Sequence, residues 1–268
     1  MMKLQTKDIY RFSPSSKIAL TLTSIFAFAG FTWPFFAADK SSAHIAQYFF
    51  WIALPLALFL LLTQLSDRSL DAKSVALLGI LAALLAALRP LGAGAVGLEP
   101  MWFLLILAAR VFGGAFGFLL GVLGMLASAL FTGGIGPWLS YQLFAAGIIG
   151  LLAGSFAKKL RGRRELALLI LISITSAFSY GLLMDLQFWP WAIGANTQLS
   201  FIPGGALSEN LHRFITFHFL SSMAWDIPRA VLTSVLVISA GPAVLAGLRR
   251  SKNRAAFLTP IEFSERLS

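Results

Sequence analysis

Glu209 and His212 stand three residues apart and His218 follows six residues further on. Positions three apart meet on one helix face. A carboxylate beside an imidazole can move a proton or bind a metal. Six residues do not bring His212 and His218 cleanly onto one face, and a metal site needs more ligands at closer spacing. An intramembrane metal-dependent enzyme using Glu209, His212 and His218 is therefore an alternative, weighed against an interfacial polar helix face. No motif pairs a nucleophile with a base. No Walker motif is present, so the chain does not hydrolyse nucleotide by itself. The absence of cysteine removes disulfides, thiolate metal sites and thiol nucleophiles together. Gly113, Gly117 and Gly121 recur at four-residue spacing beside Gly114 and Gly124. No Lys-Ser/Thr follows them, so they suit close helix packing rather than a phosphate loop.

Charges within apolar sequence carry more weight, because they are costly in lipid and mark function. Arg89 precedes Pro90, Arg110 lies among apolar residues, and Asp185 and Asp226 flank a long polar segment. Arg89 and Asp226 either snorkel to an interface or line a polar pocket. Arg110 fits proximity to a turn on the opposite side. Trp33, Trp51, Trp102 and Trp138 fit interfacial belts. Trp189-Pro190-Trp191 differs, because Gly194, Asn196, Gly204 and Gly205 follow it. Such a loop could close over a flat conjugated ligand, with aromatic faces to stack and glycine hinges. Each of these tryptophans could equally anchor the chain at an interface.

The elements that position these residues must lie in a bilayer. The chain has 268 residues, 58% hydrophobic and 12% charged, with mean hydropathy +0.81. Soluble domains carry about 25% charged residues. Several stretches reach the roughly 20 apolar residues a spanning helix needs. Strand-like alternation is absent, which argues against an outer-membrane barrel and leaves a helix bundle. The formal charge of +10 would suggest nucleic acid in a soluble protein. Here the basic residues cluster beside spans, so they report topology. The basic N-terminus and the apolar run after it resemble a signal sequence. The run is long and lacks a small-residue cleavage site, which predicts a retained span.

Candidate spans are Ile18–Phe36, Ala46–Leu65, Ser74–Leu91, the long stretch Pro100–Phe131, Trp138–Ala157, Leu166–Met184 and Ile227–Leu248. Pro100–Phe131 is either one tilted helix or two short helices turning near Gly113–Gly114. The positive-inside rule decides. With a hairpin, Arg68 and Lys73, then Lys158, Lys159, Arg161, Arg163 and Arg164, then Arg249, Arg250, Lys252 and Arg254 all fall inside. The hairpin arms are short and are expected to pack within the bundle. The outside loops are then Gly92–Glu99, Thr132–Pro137 and Asp185–Asn210. Leu207–Ser222 reads as an interfacial or re-entrant helix capped near Ser208-Glu209, and the last span restarts at Asp226-Ile227-Pro228.

Gly79, Ala83 and Ala87 repeat every four residues with Ala82 and Ala86 alongside, a smooth face for another helix. This face, the runs ARVFGGAFGFLLGVLG and TGGIGPWLSYQLFAAGIIGLLAG, and the segments SYGLLMDLQFWPW and SENLHRFITFHFLSSMAWDIPRAVLT together resemble the substrate-binding S component of energy-coupling factor (ECF) transporters. With the hairpin the chain is an all-α membrane helix bundle of about eight spans, six of which match the six-helix core that the resemblance implies. Residues 74–248 would form a six-helix core, residues 1–73 a two-span N-terminal extension and residues 249–268 a cytoplasmic basic tail. The resemblance further implies a vitamin bound from outside. A transmembrane coupling subunit and two ATPase subunits would drive uptake, ATP being used only by those partners. The coupling subunit would dock on Ala82, Ala83, Ala86 and Ala87. Substrate would sit under the outer loops, with Arg89, Glu99, Trp102, Trp138, Gln142, Asp185, Trp189, Trp191, Asn196 and Asn210 as its candidate contacts. Cobalamin or a related corrinoid is the first expectation, followed by riboflavin and thiamine precursors. A metal-ion S component would use an N-terminal His-rich site, which is lacking. The expected location is a bacterial inner membrane with both termini cytoplasmic. A stand-alone secondary transporter is a further alternative, although no inverted repeat is visible.

Overall fold

The computed structural model describes residues 8–9, 11–36, 52, 72–92, 97–157, 159–194 and 197–254. The expected span Ala46–Leu65 with Trp51, the basic residues Arg68 and Lys158, Asn196, and the tail after Arg254 lie outside the described residues. Among those described, regular structure is entirely helical. Helix α1 covers Pro14–Thr32 and continues as a 3₁₀ turn, Trp33–Phe35. Helix α2 covers Ala72–Leu88, followed by a 3₁₀ turn at Pro90–Gly92. Then come α3 (Met101–Phe112), α4 (Gly114–Thr132), α5 (Leu139–Ser155), α6 (Arg163–Ala192), α7 (Leu207–Ser221), α8 (Met223–Ser239) and α9 (Gly241–Arg254). Helices α1, α2, α4 and α6 are long and apolar enough to cross a membrane. Helices α8 and α9 make a fifth candidate span, bent by 68°.

Helix α3 ends and α4 begins at Gly113, where the stretch was expected to turn. Its φ of +112° is one that L side chains rarely adopt, so glycine is required there. The arms fold back on each other. Trp102, at the start of α3, and Ser128, near the end of α4, each join polar groups gathered around Glu99 and Arg89. We call this the Glu99 end of the bundle. At the opposite end, Arg110 of α3 bonds Glu165 of α6, and the Ile9 amide donates to the Phe112 carbonyl at 3.1 Å. This is the Glu165 end. Helix α3 is short but deeply packed: Met101, Leu105–Ala109 and Phe112 are fully buried.

The glycines act as packing residues. A methyl on Gly117 would overlap the Gly150 carbonyl, and one on Gly150 would overlap the Gly117 carbonyl. Gly121 lies equally close to Ala146, and Gly124 to Leu85. Helices α4 and α5 thus touch backbone to backbone, as small-residue faces permit.

Three sequence expectations need correction. The outer loop expected at Asp185–Asn210 is shorter, because α6 runs on to Ala192 through Pro190. Proline removes one backbone donor, but spanning helices tolerate this. Here full burial of Trp189 among Phe35, Phe201 and Phe214 holds the turn. The cap of α7 is Ala206, whose methyl side chain cannot accept a hydrogen bond, and Glu209 pairs instead with Arg213 at 2.8 Å. The expected last span Ile227–Leu248 begins earlier, at Met223, and breaks at Ala240. Pro242 cannot donate to the preceding turn and starts a new helix instead.

Candidate substrate site

At the Glu99 end, tight loop packing sets the site. Gly97 adopts φ +69° and leaves no room for a methyl against the Trp225 carbonyl, and Gly92 is equally tight against Leu98. These contacts carry Glu99 to the first turn of α3 and to α8. Glu99 Oε2 accepts from Trp102 Nε1 at 2.8 Å and from Arg229 Nε at 3.3 Å. Arg229 Nη1 donates to Asp226 Oδ1 at 2.6 Å. Its guanidinium lies over the Tyr180 ring, 5.1 Å from the centroid, and Tyr180 packs on Trp102 at 4.5 Å. Asp226 is fully buried. It also accepts from Ser222 Oγ at 2.6 Å. It fits against α6 because residue 181 is glycine, and any side chain there would overlap the carboxylate.

Two polar groups adjoin this core. Asp185 accepts from Ser221 Oγ at 3.1 Å and lies 2.8 Å from His218 Nδ1, tying α7 to α6. Arg89 reaches Ser128 Oγ at 3.5 Å and Gln142 Oε1 at 3.2 Å, joining α2, α4 and α5. Arg89, Glu99 and Arg229 all act electrostatically on the Tyr180 hydroxyl. They therefore form one polar region at the ends of the spans.

The structure brings Arg89, Glu99, Trp102, Gln142 and Asp185 into this region. Trp138 is 44% exposed and bonds the Gly134 carbonyl. Trp189 is fully buried and donates to the Leu199 carbonyl at 2.7 Å, so it can stack on a ligand only if its aromatic cluster opens. Trp191 is half-exposed, 5.8 Å from Trp33. Asn210 spends both ends of its amide on Ile202, accepting at 3.0 Å and donating at 2.8 Å, and so pins the loop before α7. Asn196 is outside the described residues. Trp33 and Trp102 are core residues rather than belt residues. Arg229, Tyr180 and Ser128 were not singled out from the sequence. The three-residue spacing of Asp226 and Arg229 and the glycine after Tyr180 were the available signals.

Glu209, His212 and His218 do not converge. Glu209 pairs with Arg213 and His218 with Asp185. Among the described residues no group of three or more His, Asp or Glu gathers to hold a metal ion.

The Glu165 end carries a second buried network. Arg110 donates to Glu165 at 2.8 Å and to the carbonyls of Phe156, Ala157 and Leu160. Arg249 reaches the same carboxylate at 2.6 Å, and Lys252 Nζ donates to the Val111 carbonyl at 2.7 Å. Burial, and next the Arg249 guanidinium, lower the pKa of the loop residue Arg161, with Glu165 opposing. This network ties α9 across the base of the bundle.

The four alanines of the proposed docking face are divided. Ala82 and Ala86 are buried inside the bundle, while Ala83 and Ala87 face outward with Gly79. A methyl at Gly79 would meet nothing. The smooth outer stripe is therefore Gly79, Ala83 and Ala87.

Fold and site together define a helical membrane protein with a preorganised polar region at one end. Residues 69–199 match the family model described as ECF-type riboflavin transporter, S component. The match runs from just before α2 through the end of α6, a little under half of the chain. Over that segment the chain is similar to the S component of an ECF-type transporter. Comparison with curated proteins and with solved structures finds no match.

Proposed function

We propose that the chain binds riboflavin or a closely related flavin at the Glu99 end and hands it to an ECF coupling subunit with two ATPase subunits. The carrying observation is the Glu99–Trp102–Arg229–Asp226 network. It fixes four charged or polar side chains from two segments at the ends of apolar helices, where charge is costly and functional. The family description supports a flavin. The corrinoid expectation rested on a loose similarity to cobalamin-type S components, and the long aromatic loop that suited a large or flat ligand shortens once Trp189 lies in α6 and is buried. A flavin therefore takes precedence over cobalamin.

The Glu165 end collects Arg11, Lys17, Lys159, Arg161, Arg163, Arg164, Arg249, Arg250 and Arg254. The positive-inside rule then puts this end in the cytoplasm of a bacterial cell and the Glu99 end outside. The stripe Gly79–Ala83–Ala87 is the face offered to the coupling subunit. The chain itself uses no ATP or other cofactor.

The test is titration of purified chain with riboflavin, followed by quenching of flavin fluorescence without nucleotide. Saturable one-to-one binding, weakened in Glu99→Gln and Trp102→Phe, is expected. Binding of cobalamin and not riboflavin would replace the flavin by the corrinoid. Binding of neither would refute the substrate assignment.

A further inference from the structure

Arg89 differs from the other arginines buried or half-buried in the bundle. Arg110 and Arg249 share Glu165, Arg229 lies between Asp226 and Glu99, and Arg213 has Glu209. Arg89 has only the neutral side chains of Ser128 and Gln142, among the described residues, and both contacts are long. A half-buried guanidinium bonded only to neutral groups keeps an uncompensated charge and further N–H donors to offer.

The partners sharpen the point. Gln142 spends its carbonyl on Arg89, which leaves the amide NH₂ as donor. Ser128, fully buried, takes an Arg89 N–H on its oxygen and keeps its own O–H to give. Guanidinium has no acceptor at all. This corner therefore holds more unspent donors than acceptors. The Glu99–Arg229–Asp226 group beside it is internally paired.

A hydroxylated chain needs donors and acceptors in turn, because each hydroxyl both gives and takes. A ring carbonyl oxygen only accepts, so it needs only donors. We propose that Arg89, braced by Ser128 and Gln142, grips a carbonyl oxygen of the ligand's heterocycle and not its hydroxylated side chain. This inference rests on the flavin reading and specifies which part of the molecule enters the corner.

The test uses full-length purified chain, with riboflavin and with lumiflavin, which keeps the ring dicarbonyl and lacks the ribityl chain. Losing charge-assisted bonds to the ligand should weaken binding roughly 10- to 100-fold in Arg89→Gln. The same factor is expected for both ligands. Arg89→Lys, which keeps the charge and loses the fork, should fall between. Gln142→Met should weaken both ligands in parallel, and its effect should shrink in the Arg89→Gln background. An unchanged melting temperature in Arg89→Gln separates ligand contact from a structural role. Loss for riboflavin alone would place Arg89 on the ribityl chain and overturn the proposal. Unchanged affinity for both would also overturn it, as expected if lipid phosphate is the partner of Arg89. If the unaltered chain binds neither flavin, the flavin reading fails and this inference falls with it.

Discussion

Replacing Arg229 by Met should be among the most damaging single changes at the Glu99 end that leave helix packing intact. Met has similar length and no charge. The change removes the 2.6 Å bond to Asp226, the 3.3 Å bond to Glu99 and the contact with the Ala177 carbonyl. Asp226 is fully buried and would keep only Ser222 as a partner. Removing one member of a buried ion pair costs about 3–5 kcal/mol, because the other charge is stranded. Replacing both members by neutral groups is often nearly neutral. The double variant Arg229→Met/Asp226→Asn should therefore regain most of the loss, to within about 2 kcal/mol of the original chain. Unfolding in mixed SDS–detergent micelles, followed by fluorescence of the seven tryptophans, reads both values. A cost below about 1 kcal/mol for Arg229→Met, the level of an exposed pair, would refute the reasoning. So would a double variant no more stable than the single one.

Phe35→Ala should loosen α7, because Phe35 packs against both Trp189 at 6.1 Å and Phe214 at 5.9 Å. Hydrogen exchange in 207–221 should speed up roughly 10-fold or more while α3 is unaffected. Gly150→Val should abolish a monodisperse folded chain on size-exclusion chromatography, since even a methyl there overlaps the Gly117 carbonyl. Ala87→Trp should leave flavin affinity within a factor of about 2 and abolish co-purification with the ATPase subunits, as an exposed substitution on a small-residue face should. Ala86→Trp, at a buried position, should instead prevent folding.

The spans expected at Ile18–Phe36, Ser74–Leu91 and Leu166–Met184 were legible because apolar runs of spanning length are read directly from hydropathy. The hairpin was legible because Gly113 coincided with the one turn that keeps the basic clusters on one side. The Arg110–Glu165 pair was not legible, since its members are 55 residues apart and only packing brings them together. Pro190 and Pro228 misled in the same way. Each reads as a boundary, yet each lies inside a helix that aromatic burial or ion pairing holds together. Trp189 looked like a lid residue by composition, and its indole is instead buried against Phe35, Phe201 and Phe214, contacts that sequence spacing cannot reveal. Arg229 lay in plain view three residues after Asp226, but its link to Glu99 spans 130 residues.

The absence of cysteine makes one experiment direct. Single cysteines are placed at Ile135, exposed beside α4 at the Glu99 end, and at Ser251, exposed on α9 at the Glu165 end. Intact cells are then treated with a membrane-impermeant maleimide. Labelling of Ile135→Cys in intact cells, and of Ser251→Cys only after permeabilisation, is the expected result. The reverse pattern would put the Glu99 region in the cytosol and contradict uptake from outside.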